Sequence, residues 1–558
     1  MKKTYFGILF LWSFFNLYAQ PGKDGPLTVT TSTQILNHYS PVSASISANS
    51  NTLSIASSSI ISLCGGDLIM VYQAQGASLD FTNTASYGDI TAYNSAGLYE
   101  FKYVQSVSGN VITTQTPFTY SYSLSGRPQI IRVPQYTTLT VNPGSSIVPK
   151  PWKDTVISGI SYRFGGLVVI HSANIVNNGL ITANASGFRG GATPTNVLSS
   201  LGTTLYVSNL IGDGGEKGEG IFGYQSDYDL NGGRYARGAP GNGGGGGTAH
   251  NSGGGGGANA FNGNVWNGSG EMVVNPANLL AAWALDPDYI SNGNSLTTSS
   301  GGGRGGYSYG ATNANANASG PGAAVWSGDF RRNMGGRGGR PLNNIDPETR
   351  IYFGGGGGAA SYNQNTSPPG GNGGGIVYLI ATTGFSGTGA TSSYGDFGGN
   401  TFGCSCDGAS GGGAGGSVVI KTGAFPATQF AYAGGGPGGN QSVLTAPGLP
   451  LTESEGPGGG GGGGLVAIST GLFMPNINIL GGIGGFSLSG AVTEMTSNGA
   501  TRGAPGQTAT VTSSVISYVQ TNTVTSNSPV CSGSILSFTC AAATSYTWTG
   551  PNGFSSFI

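Results

Sequence analysis

Charge is scarce in this chain: Asp, Glu, Lys and Arg make up 8% of 558 residues and the net charge is −1. Proteins that hold nucleic acid neutralise phosphates with many Lys and Arg side chains, so that class of partner is excluded. Only three histidines are present, His38, His171 and His250, which leaves few groups able to act as a general base near neutral pH. The five cysteines are Cys64, Cys404, Cys406, Cys531 and Cys540; an odd number in an exported chain leaves one without a partner and points to a sequence that continues. Long apolar runs are also missing after the N-terminus. Nothing there reaches the roughly 18 to 20 residues a membrane-spanning helix needs, so no transmembrane segment is expected. The N-terminus itself has Lys2 and Lys3, an apolar stretch over 5–15 and Ala19 before Gln20 and Pro21, which reads as a cleavable signal peptide over 1–19.

What the chain has in excess is glycine, 106 residues, with 27 prolines. A Gly/Pro content this high commonly marks low complexity. Disordered segments, however, combine low hydrophobicity with high charge, and this chain is 37% apolar and 10% aromatic, so a folded, glycine-dense structure is expected.

Four segments share one layout. "GGLVVIHSANIVNNGLITANASG" starts at Gly165, "GGIVYLIATTGFSGTGATSSYG" at Gly374, "GGSVVIKTGAFPATQFAYAGG" at Gly415 and "GGLVAISTGLFMPNINILGG" at Gly463. Each opens Gly-Gly, runs through apolar residues to Ile170, Ile380, Ile420 or Ile468, and has an apolar residue five positions on, at Ile175, Phe385, Phe425 or Phe473. Short strand, bend, short strand is the layout of a rung whose apolar face only its neighbours can cover, hence a stacked β-solenoid. "LTVNPGSSIVPKPW", 139–152, reads as a further rung leading into the first.

Glycine runs at 243–247, 253–257, 354–358 and 458–464 adjoin these buried-type strands, whereas flexible linkers mix Gly with Ser and lie between domains. Bare backbone can pack as closely as it does at the axis of collagen. The runs are therefore expected to be polyglycine strands in a left-handed extended form, bonded to one another and covering the open side of the rungs.

The organisation expected is an all-β chain. A small N-terminal β domain over 27–150 includes a hairpin, "YVQSVSGNVITTQT", turning at Gly109 and Asn110. A glycine-rich, parallel β-helix-like solenoid with polyglycine strands follows over 151–515, with an insertion over 188–373. The start of an Ig-like, PKD-like sandwich occupies 524–558. Inside the insertion, "NPANLLAAWALDPD" predicts one helix, with Asn275 as N-cap and Pro287 as stop.

Motifs of catalytic or metal chemistry are weak. "GYSYG" around Ser308 and "GASGG" around Ser410 match G-x-S-x-G, but so much glycine makes chance matches inevitable, and neither lies between a strand and a helix. "DYDLNGG" places Asp227, Asp229 and Asn231 as the first ligands of a calcium loop, yet position twelve would be Gly238 rather than Glu. Calcium is the one cofactor this allows. Cys404 and Cys406 cannot make a four-ligand zinc site alone and read as disulfide partners. Asp213, Glu216 and Glu219 are the best place for paired carboxylates acting on a sugar bond, but Lys217 among them favours a solvated, self-neutralised loop. "GGGRGG" and "GGRGGR" resemble RGG segments, a reading at odds with an export signal.

Aromatic residues between the rungs, Tyr224, Tyr228, Tyr235, Trp266, Tyr307, Tyr309 and Trp326, are expected to supply binding contacts, since rings give large area at low entropy cost.

The stretches "GDLIMVYQAQGASLD", "YGDITAYNSAGLYEF", "PQIIRVPQYTTLTV", "GLITANASGFRGG", "GEKGEGI" and "VCSGSILSFTCAAATSYTWTGPNG" together resemble large glycine-rich surface proteins of Bacteroidota-type bacteria that carry Ig-like or PKD-like repeats and use type IX secretion. "VNNGLITANASG" is also similar to rungs of filamentous-haemagglutinin-type adhesins. The resemblance implies a modular secreted or cell-surface protein on the outer face of a Gram-negative bacterium, with no catalytic residues to carry over. The function expected is a non-catalytic, adhesin-like or structural display protein whose partners are glycans, matrix or other surface proteins. The alternative is a secreted polysaccharide-degrading enzyme on a parallel β-helix.

Overall fold

A computed structural model describes residues 23–193, 205–249, 251–266, 300–310, 331–362, 368–402, 407–442, 453–469, 476–488 and 497–513, with four short strands between 525 and 557. The signal peptide, the helix expected at 275–288, Trp326, Cys404, Cys406, Phe473, Cys531 and Cys540 lie outside the described residues.

The repeats stack. A seven-stranded parallel sheet runs in the order Leu27–Val29, Gln135–Val141, Leu167–Asn177, Ile376–Ser386, Ser417–Thr422, Leu465–Ser469 and Gln507–Val511. Leu167 lies opposite Ile376, Ile376 opposite Ser417, and Ser417 opposite Leu465, so the Gly-Gly pairs ahead of these strands fall in line. The register differs by one residue from the one the apolar runs imply. Ile170 faces Leu379, while Ile380 faces His171 on one side and Lys421 on the other. An irregularity between Ser172 and Asn174 absorbs the extra residue, and Ile175 faces Phe385 again.

After the bend, a second parallel sheet stacks Ser146–Ile147, Leu180–Thr182, Ala390–Ser392, Phe430–Tyr432 and Ile477–Asn478. The opening stretches of the central strands, 167–170, 376–381 and 465–468, carry no charged or amide residue because both faces are covered. Val168, Ile170, Val377, Leu379, Val418, Ile420, Val466 and Ile468 form one core with Ile181 and Ala431 of the second sheet. The alternate residues, Leu167, Val169, Ile376, Tyr378, Val419, Leu465 and Ala467, pack with Leu68, Met70, Tyr72 and Ile131 of the N-terminal part.

That part is a six-stranded antiparallel sheet in the order His38–Pro41, Pro128–Val133, Leu68–Gln73, Tyr99–Ser108, Val111–Thr114 and Thr52–Ser54. Its ends meet. Val42 bridges Ile55, the Ser43 N–H donates to the Ser54 carbonyl at 2.9 Å, and the Ala56 N–H donates to that of Pro41 at 3.0 Å. The sheet thus closes on itself around Ile69, Val71, Val104, Ile112, Phe118 and Ile130, leaving no open edge there. The stretch 27–150 divides differently from the expectation. Leu27–Val29 and Gln135–Val141 belong to the seven-stranded sheet, and Ser146–Ile147 to the five-stranded one. Near the end, Thr525–Ser526 pairs with Phe538–Thr539, and Thr547–Thr549 with Ser555–Phe557, both antiparallel.

The glycine runs are buried and hydrogen-bonded. Consider 253–257. The N–H groups of Gly253 and Gly256 donate to Gly306 and Gly303, those of Gly254 and Gly257 to Ala409 and Gly412, and those of Gly255 and Ala258 to Gly245 and Asn242. Residues three apart bond the same neighbour; three neighbours accept from the strand, and three more, 336–339, 355–358 and 459–462, donate to it. This is polyproline II geometry, three residues per turn with no hydrogen bond inside the strand. Residues 458–464 repeat the pattern: Gly458, Gly461 and Gly464 donate to Gly439, Gly436 and Ala433, Gly459 and Gly462 to Gly254 and Gly257, and Gly460 and Gly463 to Thr501 and Ala504.

The packing admits no side chain. A Cβ on Gly255 would stand 2.0 Å from the Arg337 carbonyl oxygen, one on Gly358 2.0 Å from that of Gly245, and one on Gly461 1.9 Å from that of Gly413. Fixing glycine loses more backbone entropy than fixing any other residue. Bonding most of the buried N–H groups to neighbouring strands is the gain set against that loss. In 411–441 the rung thus runs from an inner glycine-rich strand into a long β-strand, a bend, a short β-strand and an outer glycine-rich strand.

His171 is wholly buried in the third strand of the large sheet, and burial pulls its pKa down to about 4. The imidazole is neutral in the fold but takes a proton below pH 6.5 once unfolded. Between about pH 6.5 and 4 the unfolded state therefore binds more protons, and stability should fall as pH falls, by up to ~1.4 kcal/mol per unit. Denaturant unfolding at a series of pH values should show this slope flattened in His171→Leu; an unchanged slope would place the titration elsewhere.

Candidate functional site

Most of the aromatic residues expected to make contacts are internal. Tyr228 and Tyr307 are buried; the Tyr228 hydroxyl donates to the Gly218 carbonyl at 2.9 Å, and the Tyr224 hydroxyl to that of Gly190 at 2.8 Å. Tyr235 and Trp266 are half-buried, Trp266 beneath the Arg340 guanidinium at 4.2 Å, and Tyr309 is a backbone member of the strand Ser308–Gly310. Tyr224 and Tyr228 thus serve packing, each tied to a glycine carbonyl.

The acidic cluster is also internal, contrary to the solvated loop expected. Glu219 is fully buried, its carboxylate accepting from Arg163 at 2.9 Å, Arg189 at 2.9 Å, Trp152 at 3.1 Å and Gln75 at 3.0 Å. Burial pushes its pKa up, but the two guanidiniums outweigh this and hold it below the usual range. Asp154 bridges the same two arginines. Lys217 turns away from these acids and donates to the carbonyls of Tyr206 and Ala236; burial, then Arg237, pulls its pKa far down. The arginines come from distant segments, so local spacing carried no sign of them.

The calcium-loop residues are engaged as well. Asp227 pairs with Arg127 at 3.1 Å and accepts from the Tyr224 N–H, Asp229 pairs with Arg234, and the Asn231 amide donates to the Asp227 carbonyl within a single helical turn, Ser226–Asp229. With Arg127, Arg163 and Arg234 against the carboxylates the segment is an ion-paired turn. Among the described residues no three of His, Cys, Asp and Glu gather as metal ligands. Ser308 is buried, and the Ser410 hydroxyl donates to the Pro368 carbonyl at 2.6 Å, a packing role for both.

The exposed rings and aliphatic groups lie elsewhere, on the outer polyglycine strands. Strands 394–401, 433–441 and 479–487 are in parallel register: Gly395 and Gly398 donate to Gly434 and Pro437, and Gly435 and Gly438 to Leu480 and Ile483. Every third residue points outward. One ridge carries Tyr394, Phe397 and Asn400, and another Leu480, Ile483 and Phe486, with Gly434, Pro437 and Asn440 between them. Phe397 is 69% exposed, Leu480 51% and Ile483 50%, while 481, 482, 484 and 485 are buried. Phe430 and Tyr432 extend the face onto the adjoining sheet, where alternation turns Ala431 inward; the Tyr432 ring lies 5.6 Å from Tyr394 and 5.7 Å from Phe430.

No family model and no curated protein matches the chain. Among solved structures it is similar in part to phage tailspikes. The tailspike gp61 of Pseudomonas phage phi297 aligns over 29% of this chain and 24% of its own, at 16% identity and a TM-score of 0.14. For gp49 of Pseudomonas phage LKA1 the values are 26%, 25%, 17% and 0.13. For the Gp54 tailspike of Acinetobacter baumannii bacteriophage AP22, solved in complex with A. baumannii capsular saccharide, they are 32%, 32%, 14% and 0.14. The chain thus matches between a quarter and a third of each tailspike's length, and its fold is read from its own strands.

Chemically, the outward face is apolar, amide-rich and almost without charge. Contiguous exposed apolar surface of this kind marks a place of contact. Its position on strands bonded through the backbone holds the rings in fixed spacing.

Proposed function

We propose that this is a secreted, non-catalytic surface protein in which a rigid solenoid presents the aromatic and amide face to glycans. The carrying observation is the pair of outward ridges, Tyr394–Phe397–Asn400 and Leu480–Ile483–Phe486, set on strands bonded to one another through the backbone. Rings stack on the apolar faces of sugars, and asparagine amides offer both a donor and an acceptor to hydroxyls. The signal-like N-terminus read from the sequence supports a position outside the cytoplasm. A non-catalytic role is supported by the burial of Glu219 and Glu216, the carboxylates best spaced for glycosidic chemistry.

Binding of the purified chain to a glycan array tests this. Uncharged glycans should be retained, with little change when NaCl is raised from about 0.05 to about 0.5 M, because no ion pair carries the contact. Phe397→Ser should weaken retention by roughly tenfold without altering the melting temperature. Retention only of anionic glycans, collapsing with salt, would contradict the reading.

A further inference from the structure

A two-stranded hairpin stands against the closed antiparallel sheet. Its strands, Lys153–Ile157 and Ile160–Phe164, join through Ser158 and Gly159, both at positive φ, the conformation of a two-residue hairpin turn. Buried Trp152 and Phe164 anchor its base, and Arg163 pairs across it with Asp154 at 3.0 Å. Between 160–163, 41–43 and the turn at 124–128 lies a cleft of about 320 Å³, at the lower end of the roughly 300–1,000 Å³ of small-ligand sites. Pro41, Val42, Leu124, Pro128, Ile160 and Tyr162 give it apolar walls, and Leu124 and Ile160 remain 42% and 57% exposed. The cleft shares no residue with the outward ridges.

The wall at 124–127 is pinned from behind. The Ser123 N–H donates to the Gln73 side chain at 2.7 Å, the Leu124 N–H to the Ser45 hydroxyl at 3.0 Å, and the Gln75 N–H to the Gly126 carbonyl at 2.9 Å. A Cβ on Gly126 would stand 2.4 Å from the Gln75 carbonyl oxygen, so the turn packs tightly there. Arg127 follows in the left-handed region, φ 59 and ψ 53, where glycine or asparagine sits at less cost. The residue that bears this strain lines the cleft. Its Nη2 is tied to Asp227 at 3.1 Å, and its Nη1 has no acceptor among the described residues. Arg163, the other charged lining residue, gives Nε to Asp154 and Nη1 to Glu219. No carboxylate lines the cleft, and the remaining polar lining is the hydroxyls of Ser43, Ser161 and Tyr162.

We infer that this cleft binds a small monocarboxylate with a compact aliphatic or aromatic body of about eight to twelve non-hydrogen atoms, its carboxylate on Arg127. Both charged groups of the lining are guanidiniums, so the ligand is an anion. The walls select an apolar body. One open guanidinium arm and a few hydroxyls match a single charge shared by two oxygens, whereas a phosphate dianion needs more donors to leave water.

Saturation-transfer NMR titration of the purified chain with 3-phenylpropanoate, 4-methylpentanoate and octanoate, each beside its primary amide, tests this. At least one acid should bind with a dissociation constant of about 0.1–1 mM, and its amide at least about tenfold more weakly. Arg127→Gly removes the guanidinium and suits the left-handed backbone, and the ion pair it gives up is partly exposed; it should weaken the acid at least about tenfold with little change in melting temperature. Ile160→Ser, on an exposed wall, should weaken the acid by about fivefold. Equal binding of acid and amide, acid affinity unchanged in Arg127→Gly, or no binding of any of the three acids up to about 10 mM would overturn the inference. None of these outcomes touches the glycan reading, which rests on other residues.

Discussion

Gly255→Ala should destabilise the protein by more than ~3 kcal/mol, enough to unfold the glycine bundle or prevent its assembly. Gly255 lies in a strand enclosed by six others, and its added Cβ would meet the carbonyl oxygen of Arg337 at 2.0 Å, its carbonyl carbon at 2.5 Å and the oxygen of Gly336 at 2.8 Å. All three are backbone atoms, so no rotamer change relieves the contact. The opposing effect is small. Alanine lowers the entropy of the unfolded chain and stabilises by only ~0.4–1 kcal/mol where its conformation fits. Gly423 supplies the control, since it is exposed and nothing lies within 4 Å of its Cβ position; Gly423→Ala should leave the melting temperature unchanged or slightly raised. Equal melting temperatures for the two variants would mean that residues 253–257 are not packed.

Glu219→Ala should remove about 3–5 kcal/mol, because it leaves Arg163 and Arg189 buried without their shared acceptor. Glu219→Gln, similar in shape, retains an oxygen for Trp152 but not the charge, and should fall between. The folded pKa of Glu219 is depressed, so its contribution is fully present above the unfolded value, 4.5, and is lost as pH falls from there through the folded value. Urea denaturation at pH 7 and pH 3 separates the effects. The native chain should lose stability between them, and the Gln variant should lose less. If Glu219→Gln equals the native chain at pH 7, the ion pairs contribute nothing net. A double-mutant cycle with Arg163→Met would then locate the remaining interaction.

How far the fold was legible depends on the range of the interactions. The Gly-Gly openings and apolar runs at Gly165, Gly374, Gly415 and Gly463 did mark stacked strands, since burial on both faces demands uninterrupted apolar residues. The same runs misplace Ile380 by one residue, because the irregularity at Ser172 depends on pairing partners and leaves no trace in composition. Leu27–Val29 joins the solenoid through residues 139–141, more than a hundred positions away, which no local pattern reveals. The site was missed for a different reason. Tyr394, Phe397, Leu480 and Ile483 follow a period of three, and a search tuned to the periods of strand and helix passes over it. Tyr228 and Tyr307, by contrast, stood out by residue type alone, and type does not report which side of a glycine strand a ring occupies. The acids at Glu216 and Glu219 looked solvated because Arg163, Arg189 and Arg234, their partners, are supplied by folding rather than by sequence proximity alone.

The glycine runs form a hydrogen-bonded lattice, and amide hydrogen exchange across residues 458–464 tests this most directly. Each of these N–H groups donates to a carbonyl on one of three neighbouring strands. Their exchange should be as slow as that of the adjoining strand Leu465–Ser469, opening only with global unfolding. Exchange there at the rate of a free glycine peptide, while Leu465–Ser469 stays protected, would contradict the account.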